Sequence, residues 1–267
     1  MQTTNQLVKL KQKKMDIKEI HKYLVNFLNT EVTKAGFKKA IIGISGGVDS
    51  AVSAYLAVEA LGKENVFGVV LPYKTSSPVS IADAQLVINK LDIRNQTIDI
   101  TPMVDEYFKF DSEMNRLRLG NIAARVRMIV LYDLSAKENS LVIGTSNKTE
   151  ILLGYGTLYG DTASAINPLG DLYKTQIWDL AKELGIPENI ILKIPTADLW
   201  AGQTDEGELG FLYKEVDKLL VEMNDNRKSD VELVAAGFEK DFIAKVRLRI
   251  SNNEFKRRLP LIAKLPG

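Results

Sequence analysis

The chain has 267 residues, of which 45% are apolar and 26% charged, and 35 Lys+Arg against 34 Asp+Glu leave a formal net charge of +1. This is the profile of an ordinary water-soluble globular protein. It lacks the basic surplus of a nucleic-acid binder, and no apolar run reaches the length of a membrane span. There is no cysteine and a single histidine, His21. Disulfide scaffolds, thiolate zinc sites, cysteine nucleophiles and Ser-His-Asp hydrolysis are therefore excluded. Chemistry must rest on carboxylates, lysine, arginine, hydroxyls, backbone groups and a metal ion.

A chain of this length makes one large α/β domain or one domain with a helical annex. Residues 1–14 are polar and lysine-rich without an apolar core, so they read as an N-terminal arm rather than a secretory signal. Met15 is an alternative start, residues 15–267 are expected to form a single domain, and a cytoplasmic location follows. His21 falls on a helical pattern from Asp16 to Leu24 as a surface residue.

Apolar, β-branched runs at 39–44, 66–71, 95–100 and 141–144 predict strands. Most are continuous, as in strands buried on both faces, whereas the third interleaves polar residues. Helical periodicity marks 48–61, 81–91, 103–108 and 115–136. Strand and helix alternate, which predicts a doubly wound parallel sheet with helices on both faces. Ligands of such sheets lie beyond the carboxyl ends of the strands. After residue 170 the pattern turns helical, at 174–184, 210–223, 230–236 and 239–252, with Ser229 as an N-cap. Residues 194–209 read as a long loop, and such loops are usually functional or mobile.

Between the first strand and its helix lies Gly43-Ile44-Ser45-Gly46-Gly47-Val48-Asp49-Ser50. A strand that ends in a glycine turn before a helix gathers free N–H groups at a positive dipole end, which is a phosphate cradle. Gly46 and Gly47 let the backbone approach an anion, and Ser45 and Ser50 add hydroxyl donors. Asp49 would repel bare phosphate, so its task is to hold Mg²⁺. No Gly-Lys-Ser/Thr follows, so this is not the Walker loop. A second cluster follows the fourth strand, with Gly144, Thr145, Ser146 and Asn147, then Glu150 and Asp161. An isolated helical Glu is ordinarily a solvated acid, but Glu150 opposite Asp49 would complete a Mg²⁺ pair. Further motifs are Asn121 to Met128, where Arg125 and Arg127 face different directions and at most one enters the site; Asn167 to Lys174, where Lys174 opens a helix within reach of a phosphate; Pro195 to Gly210; and Phe255-Lys256-Arg257-Arg258, a charged run of the kind usually solvated.

The first motif resembles the pyrophosphate loop of the N-type ATP pyrophosphatases, and the six together, over roughly Ile20 to Leu261, resemble the ammonia-dependent NAD⁺ synthetase family. The resemblance implies an adenine nucleotide alpha hydrolase-like sheet of about five strands with a helical C-terminal part. It also implies a two-step ligase reaction. Deamido-NAD (nicotinic acid adenine dinucleotide) is adenylated by ATP, and ammonia then displaces AMP to form NAD⁺. Family roles fall on matching positions: ATP on Gly43, Ile44, Ser45, Gly46, Gly47, Val48, Asp49 and Ser50, with Thr145, Lys174 and Thr196; Mg²⁺ on Asp49 and Glu150; deamido-NAD on Arg125, Asp161, Phe255 and Lys256; catalysis on Asp161 and Lys174. A homodimer with deamido-NAD at its interface is implied, as are two loops that order on binding, at 75–84 and 194–209.

The chain departs from the family where many members carry Lys at Leu158, Asp at Ala165 and His at Phe255. The ATP half of the site is thus intact and the dinucleotide half altered. GMP and argininosuccinate synthetases have other downstream motifs. A tRNA-thiolating member would need cysteines, and so would an appended glutaminase, so free ammonia is the expected donor. A universal-stress-type ATP sensor would leave Glu150, Asp161 and Lys174 without a task. No nucleic acid and no membrane are expected as partners.

Overall fold

The computed structural model describes residues 15–111, 113–200 and 202–265; the expected N-terminal arm, residues 1–14, lies outside them. Asp16 starts the first helix, α1 (Ile17–Lys34), through a capping box in which it and Glu19 satisfy each other's backbone N–H. Then follow β1 (Lys39–Gly43), α2 (Val48–Leu61), β2 (Val66–Val70), α3 (Pro78–Leu91), β3 (Arg94–Thr97), α4 (Thr101–Phe108), α5 (Arg116–Glu138), β4 (Ser140–Val142) and α6 (Lys148–Leu153).

All strand pairs are parallel, in the order β3-β2-β1-β4, with Ala40 beside Val66 on one side and Leu141 on the other. Side chains alternate between the faces of the sheet. Ala40, Ile42, Val66 and Val70 join a core with α1, α2 and α7 (Lys174–Glu183), while Ile41, Phe67 and Val69 join a second core with α4 and α5. Burial on both faces is why β1 and β2 read as unbroken apolar runs. β3 is an exposed edge strand two residues shorter than the run 95–100 suggests, and its polar interleaving follows from that position. In place of a fifth strand there is one parallel bridge, Ile143 to Ile166, so the sheet has four strands rather than about five.

β2 and β3 extend the sheet from one side of β1, and β4 lies on the other. Chain direction therefore switches between β1 and β4, and a crevice opens there above the strand ends. Several boundaries differ from expectation, and the end of the expected loop 194–209 is helical at Asp205–Leu209. α3 starts at Pro78 because proline fits the first helical turn, so much of the expected loop 75–84 is helical. Helix 210–223 is α10 (Tyr213–Leu220) followed by a π turn at Val221–Asp225.

The remaining helices are α8 (Glu188–Ile191), α9 (Asp205–Leu209), α11 (Asp230–Ala235), capped by Ser229 as expected, and α12 (Lys240–Asn252). α8 joins the first core through Ile190, whereas Leu153, Leu209, Tyr213, Val216, Leu220, Leu233 and Val246 pack α9, α10, α11 and α12 into a third core around α6. Buried Asp217 on α10 ties α6 and α7 together, accepting from Thr149 Oγ1 at 2.6 Å and Thr175 N at 2.8 Å. Asp217→Ala removes both bonds and strands their donors. Hydrogen bonds to charged groups of this kind support a stability loss of about 2–3 kcal/mol, with a smaller loss for Asp217→Asn. Urea denaturation checks this, and an Ala variant within about 0.5 kcal/mol of the parent would contradict it.

Candidate active site

A cavity of about 660 Å³ lies over the carboxyl ends of β1 and β4. Seven of the eight residues from Gly43 to Ser50 line it; Gly46 turns away. Gly46 has φ +78, and a Cβ there would stand 2.1 Å from the Ser80 carbonyl oxygen, so only glycine lets the loop press on the start of α3. The serines shape the turn. The two hydroxyls lie 3.1 Å apart, Ser50 Oγ donates to Gly47 O, and Ser45 Oγ accepts from Gly47 N. No side chain caps α2, so its first N–H groups face the cavity as anion donors.

Opposite stands the start of α6. Asn147 caps this helix, accepting from Glu150 N at 3.0 Å, while Glu150 Oε2 accepts from Asn147 N. The same Asn147, fully buried, donates from Nδ2 to Asp49 Oδ1 at 2.9 Å. One amide thus fixes both carboxylates. Lys174, at the first turn of α7, completes the knot: its buried Nζ lies 2.5 Å from Asp49 Oδ2 and 3.6 Å from Glu150 Oε1. Burial alone would lower the Lys174 pKa, but Asp49 and Glu150 outweigh burial and raise it. Glu150 is pushed up to about 8 by burial and then by the charge of Asp49.

The cavity is also lined by Asp161, Tyr155, Asp205, Arg127 and Lys256. Asp161 is open to the cavity but walled in by protein, and burial raises its carboxyl above the ordinary range, against the pull of Thr157 N at 2.8 Å. Asp205 is likewise raised by burial, although Lys174 and the hydroxyls of Tyr155 and Tyr213 oppose the shift. Lys256 Nζ donates to the carbonyls of Gly154 and Gly156. Thr145 and Thr196 also line the cavity.

Arg125 and Phe255 stand outside it. Arg125 Nε reaches across to Leu158 O at 3.3 Å, and Phe255 is 60% exposed on a short 3₁₀ turn. Leu117, Asn121, Ala124, Met128 and Leu131 form the cavity stripe of α5, and the two arginines flank it on opposite edges. The edge that opens to the cavity is that of Arg127. The expected loops touch each other: Ser77 N donates to Asp198 Oδ2 at 2.9 Å, and Thr75 Oγ1 to Leu199 O.

Among the described residues, no three His, Asp or Glu side chains are grouped to hold a metal ion alone. Two carboxylates within ion-pair distance of one ammonium are present instead. That donor set fits a hard cation that takes its remaining oxygens from water and a bound polyphosphate, which is the habit of Mg²⁺.

A model of the NAD synthase family matches residues 20–260. The chain belongs to that family. The NH3-dependent NAD⁺ synthetase of Trichlorobacter lovleyi is 55% identical over 253 residues, spanning 95% of this chain and 93% of that one. Two solved structures share the fold over 94% of this chain and 100% of theirs. One is an NMN synthetase from Francisella tularensis, with a TM-score of 0.84 and 34% identity. The other is an NH3-dependent NAD synthetase from Campylobacter jejuni, with a TM-score of 0.80 and 38% identity. Within this family, the resemblance read from the six motifs agrees with the comparison over nearly the same span.

The Glu150 environment predicts a stability effect. In the unfolded chain its proton leaves near the ordinary 4.5, whereas the fold holds it to about 8. The folded state binds the extra proton in that window, so stability falls as pH rises through it and levels off above. Glu150→Gln keeps the neutral shape and both cap bonds. In chelator and without nucleotide, its melting temperature should therefore gain on the parent from about pH 5 to about pH 8. Parallel melting curves across that range would contradict the assignment.

Proposed function

We propose the following division of labour for the NAD⁺ synthetase reaction at this cavity. The chain is a ligase that amidates deamido-NAD with ammonia and splits ATP to AMP and pyrophosphate. In the first step a carboxylate oxygen of deamido-NAD bonds to the α-phosphorus of ATP. The bond from that phosphorus to the bridging oxygen breaks, and pyrophosphate leaves with the electron pair. In the second step ammonia nitrogen bonds to the acyl carbon, AMP leaves with the C–O electron pair, and the nitrogen loses a proton.

The free backbone N–H groups at the uncapped start of α2 take the phosphates, and Thr145, Lys174 and Thr196 complete the ATP contacts. Asp49 and Glu150 would hold Mg²⁺, which when bound neutralises the departing pyrophosphate. Lys174 would then turn from these carboxylates to a phosphate. Asp161, whose carboxyl burial holds above its ordinary range, becomes the acceptor of the ammonia proton once cationic groups gather around it. The observation that carries this reading is the knot of Asp49, Glu150, Asn147 and Lys174 over an uncapped, glycine-entered helix start.

We further propose a homodimer. Ile129 and Tyr132, 58% and 40% exposed, follow Arg125 by four and seven positions and share its face of α5. A partner covering that face would enclose Arg125 and bring it to a deamido-NAD shared between subunits, with Phe255 and Lys256 as further contacts. No described helix is long and apolar enough to cross a membrane, and ATP and deamido-NAD as substrates support a cytoplasmic location.

Incubation with ATP, Mg²⁺, deamido-NAD and ammonium should release AMP, pyrophosphate and NAD⁺ in equal amounts. ADP with orthophosphate would overturn the scheme. Glutamine should not replace ammonium, because the chain has no cysteine to attack an amide, and the rate should rise with pH as ammonium yields ammonia. Asp49→Asn should lower kcat by about 100-fold or more, since metal neutralisation of the leaving group is worth several kcal/mol. Asp161→Asn should still form the adenylate yet convert it slowly, a split read by comparing pyrophosphate bursts with NAD⁺ output; a normal NAD⁺ rate would reduce Asp161 to scaffolding.

A further inference from the structure

The cations that line the cavity differ in how they are neutralised. Lys174 is shared by Asp49 and Glu150, Lys193 Nζ lies 3.0 Å from Asp83 Oδ2, and Lys256 is spent on two carbonyls. Arg249 on α12 lines the cavity too, but its Nε is shut off from solvent and without a partner. Arg127 is different. Its Nε donates to Leu71 O at 3.0 Å, which leaves the two outer nitrogens of the fork unused, and no carboxylate lies within ion-pair distance of it among the described residues. The acids its charge feels are Asp198 and Asp161, both farther off, and burial lowers its pKa.

A buried guanidinium without an anion is costly unless a ligand supplies one. The place of this one narrows which. Leu71 follows the end of β2, the strand next to β1 and its phosphate loop, while Asp161 marks the end where the amide forms. Arg127 therefore stands between the ATP end and the acceptor end. There the adenylation step must bring a carboxylate against an α-phosphate, two groups of like charge. A planar fork with two free edges suits two neighbouring oxyanions better than a point charge does.

We propose that Arg127 is the anion receptor at which the nicotinate carboxylate of the acceptor meets the α-phosphoryl group of ATP. The assignment rests on the function proposed above and adds to it a residue outside the motif roles. Arg125, two positions away, serves the outer face instead, and Arg127 screens the repulsion within the cavity. Its effect belongs to the first step and requires both substrates, so ATP alone should bind nearly as well without it.

The test is deamido-NAD-dependent exchange of labelled pyrophosphate into ATP, with ATP binding measured by titration calorimetry, for the parent, Arg127→Ala and Arg127→Lys. Parent exchange that fails without deamido-NAD and proceeds with it establishes the reaction; its absence would overturn the reaction itself and the Arg127 role with it. Given a working parent, Arg127→Ala should lose about 100-fold in exchange, the scale of one preorganised oxyanion donor. ATP affinity should change less than about threefold, and added guanidinium ion should restore part of the exchange. Arg127→Lys, which keeps the charge and serves if the Ala variant folds poorly, should fall between the two. Exchange near the parent rate in either variant, an ATP affinity that falls as far as the exchange does, or failure of guanidinium to restore a folded Ala variant would overturn the proposal.

Discussion

The ion pair between Lys174 and Asp49, with Glu150 close by, is the constraint on which the rest of the site depends. Two carboxylates on separate elements, one after β1 and one on the helix after β4, are brought over a single crevice. Left alone they would repel. The Lys174 ammonium and the Asn147 amide hold them together, and the amide does so while capping its own helix. Lys174 is in turn placed by its backbone N–H, which donates to Thr149 Oγ1, and Thr149 is fixed by Asp217 of the helical C-terminal part. The third core therefore does more than add stability. It sets where the cation of the site stands.

The acids that line the cavity are held where further positive charge would stabilise them. Glu150, Asp161 and Asp205 all have carboxyls raised by burial, and a raised carboxyl is one that a cation would stabilise in its charged form. Arg127, at the opposite extreme, is a cation waiting for an anion. Nucleotide with its metal ion and an acid acceptor together supply both missing charges. On the function proposed above, the same charges that bind the substrates would also serve the reaction.

Features whose cause is local in the chain were legible from it. The glycine loop, the parallel alternation and the Ser229 cap are each written within a few residues. The capping pattern Asn147-x-x-Glu150 was also present locally, and its match to a capping box was the available signal for Asn147. Its bond to Asp49, 98 positions away, was not readable. The choice between Arg125 and Arg127 was closed to sequence for a geometric reason. The two flank the cavity stripe of α5 symmetrically, and only the neighbours supplied by Leu71 and Leu158 decide which edge opens inward. The short β3 and the missing fifth strand reflect edge position, which periodicity does not encode.

The central claim is that the cavity joins a carboxylate oxygen to the α-phosphorus before any nitrogen is bound. Deamido-NAD labelled with ¹⁸O in its nicotinate carboxyl tests this in one turnover with ATP, Mg²⁺ and ammonium. One ¹⁸O atom should appear in the phosphate of the released AMP and none in pyrophosphate. AMP free of label, or label appearing in pyrophosphate or orthophosphate, would contradict it.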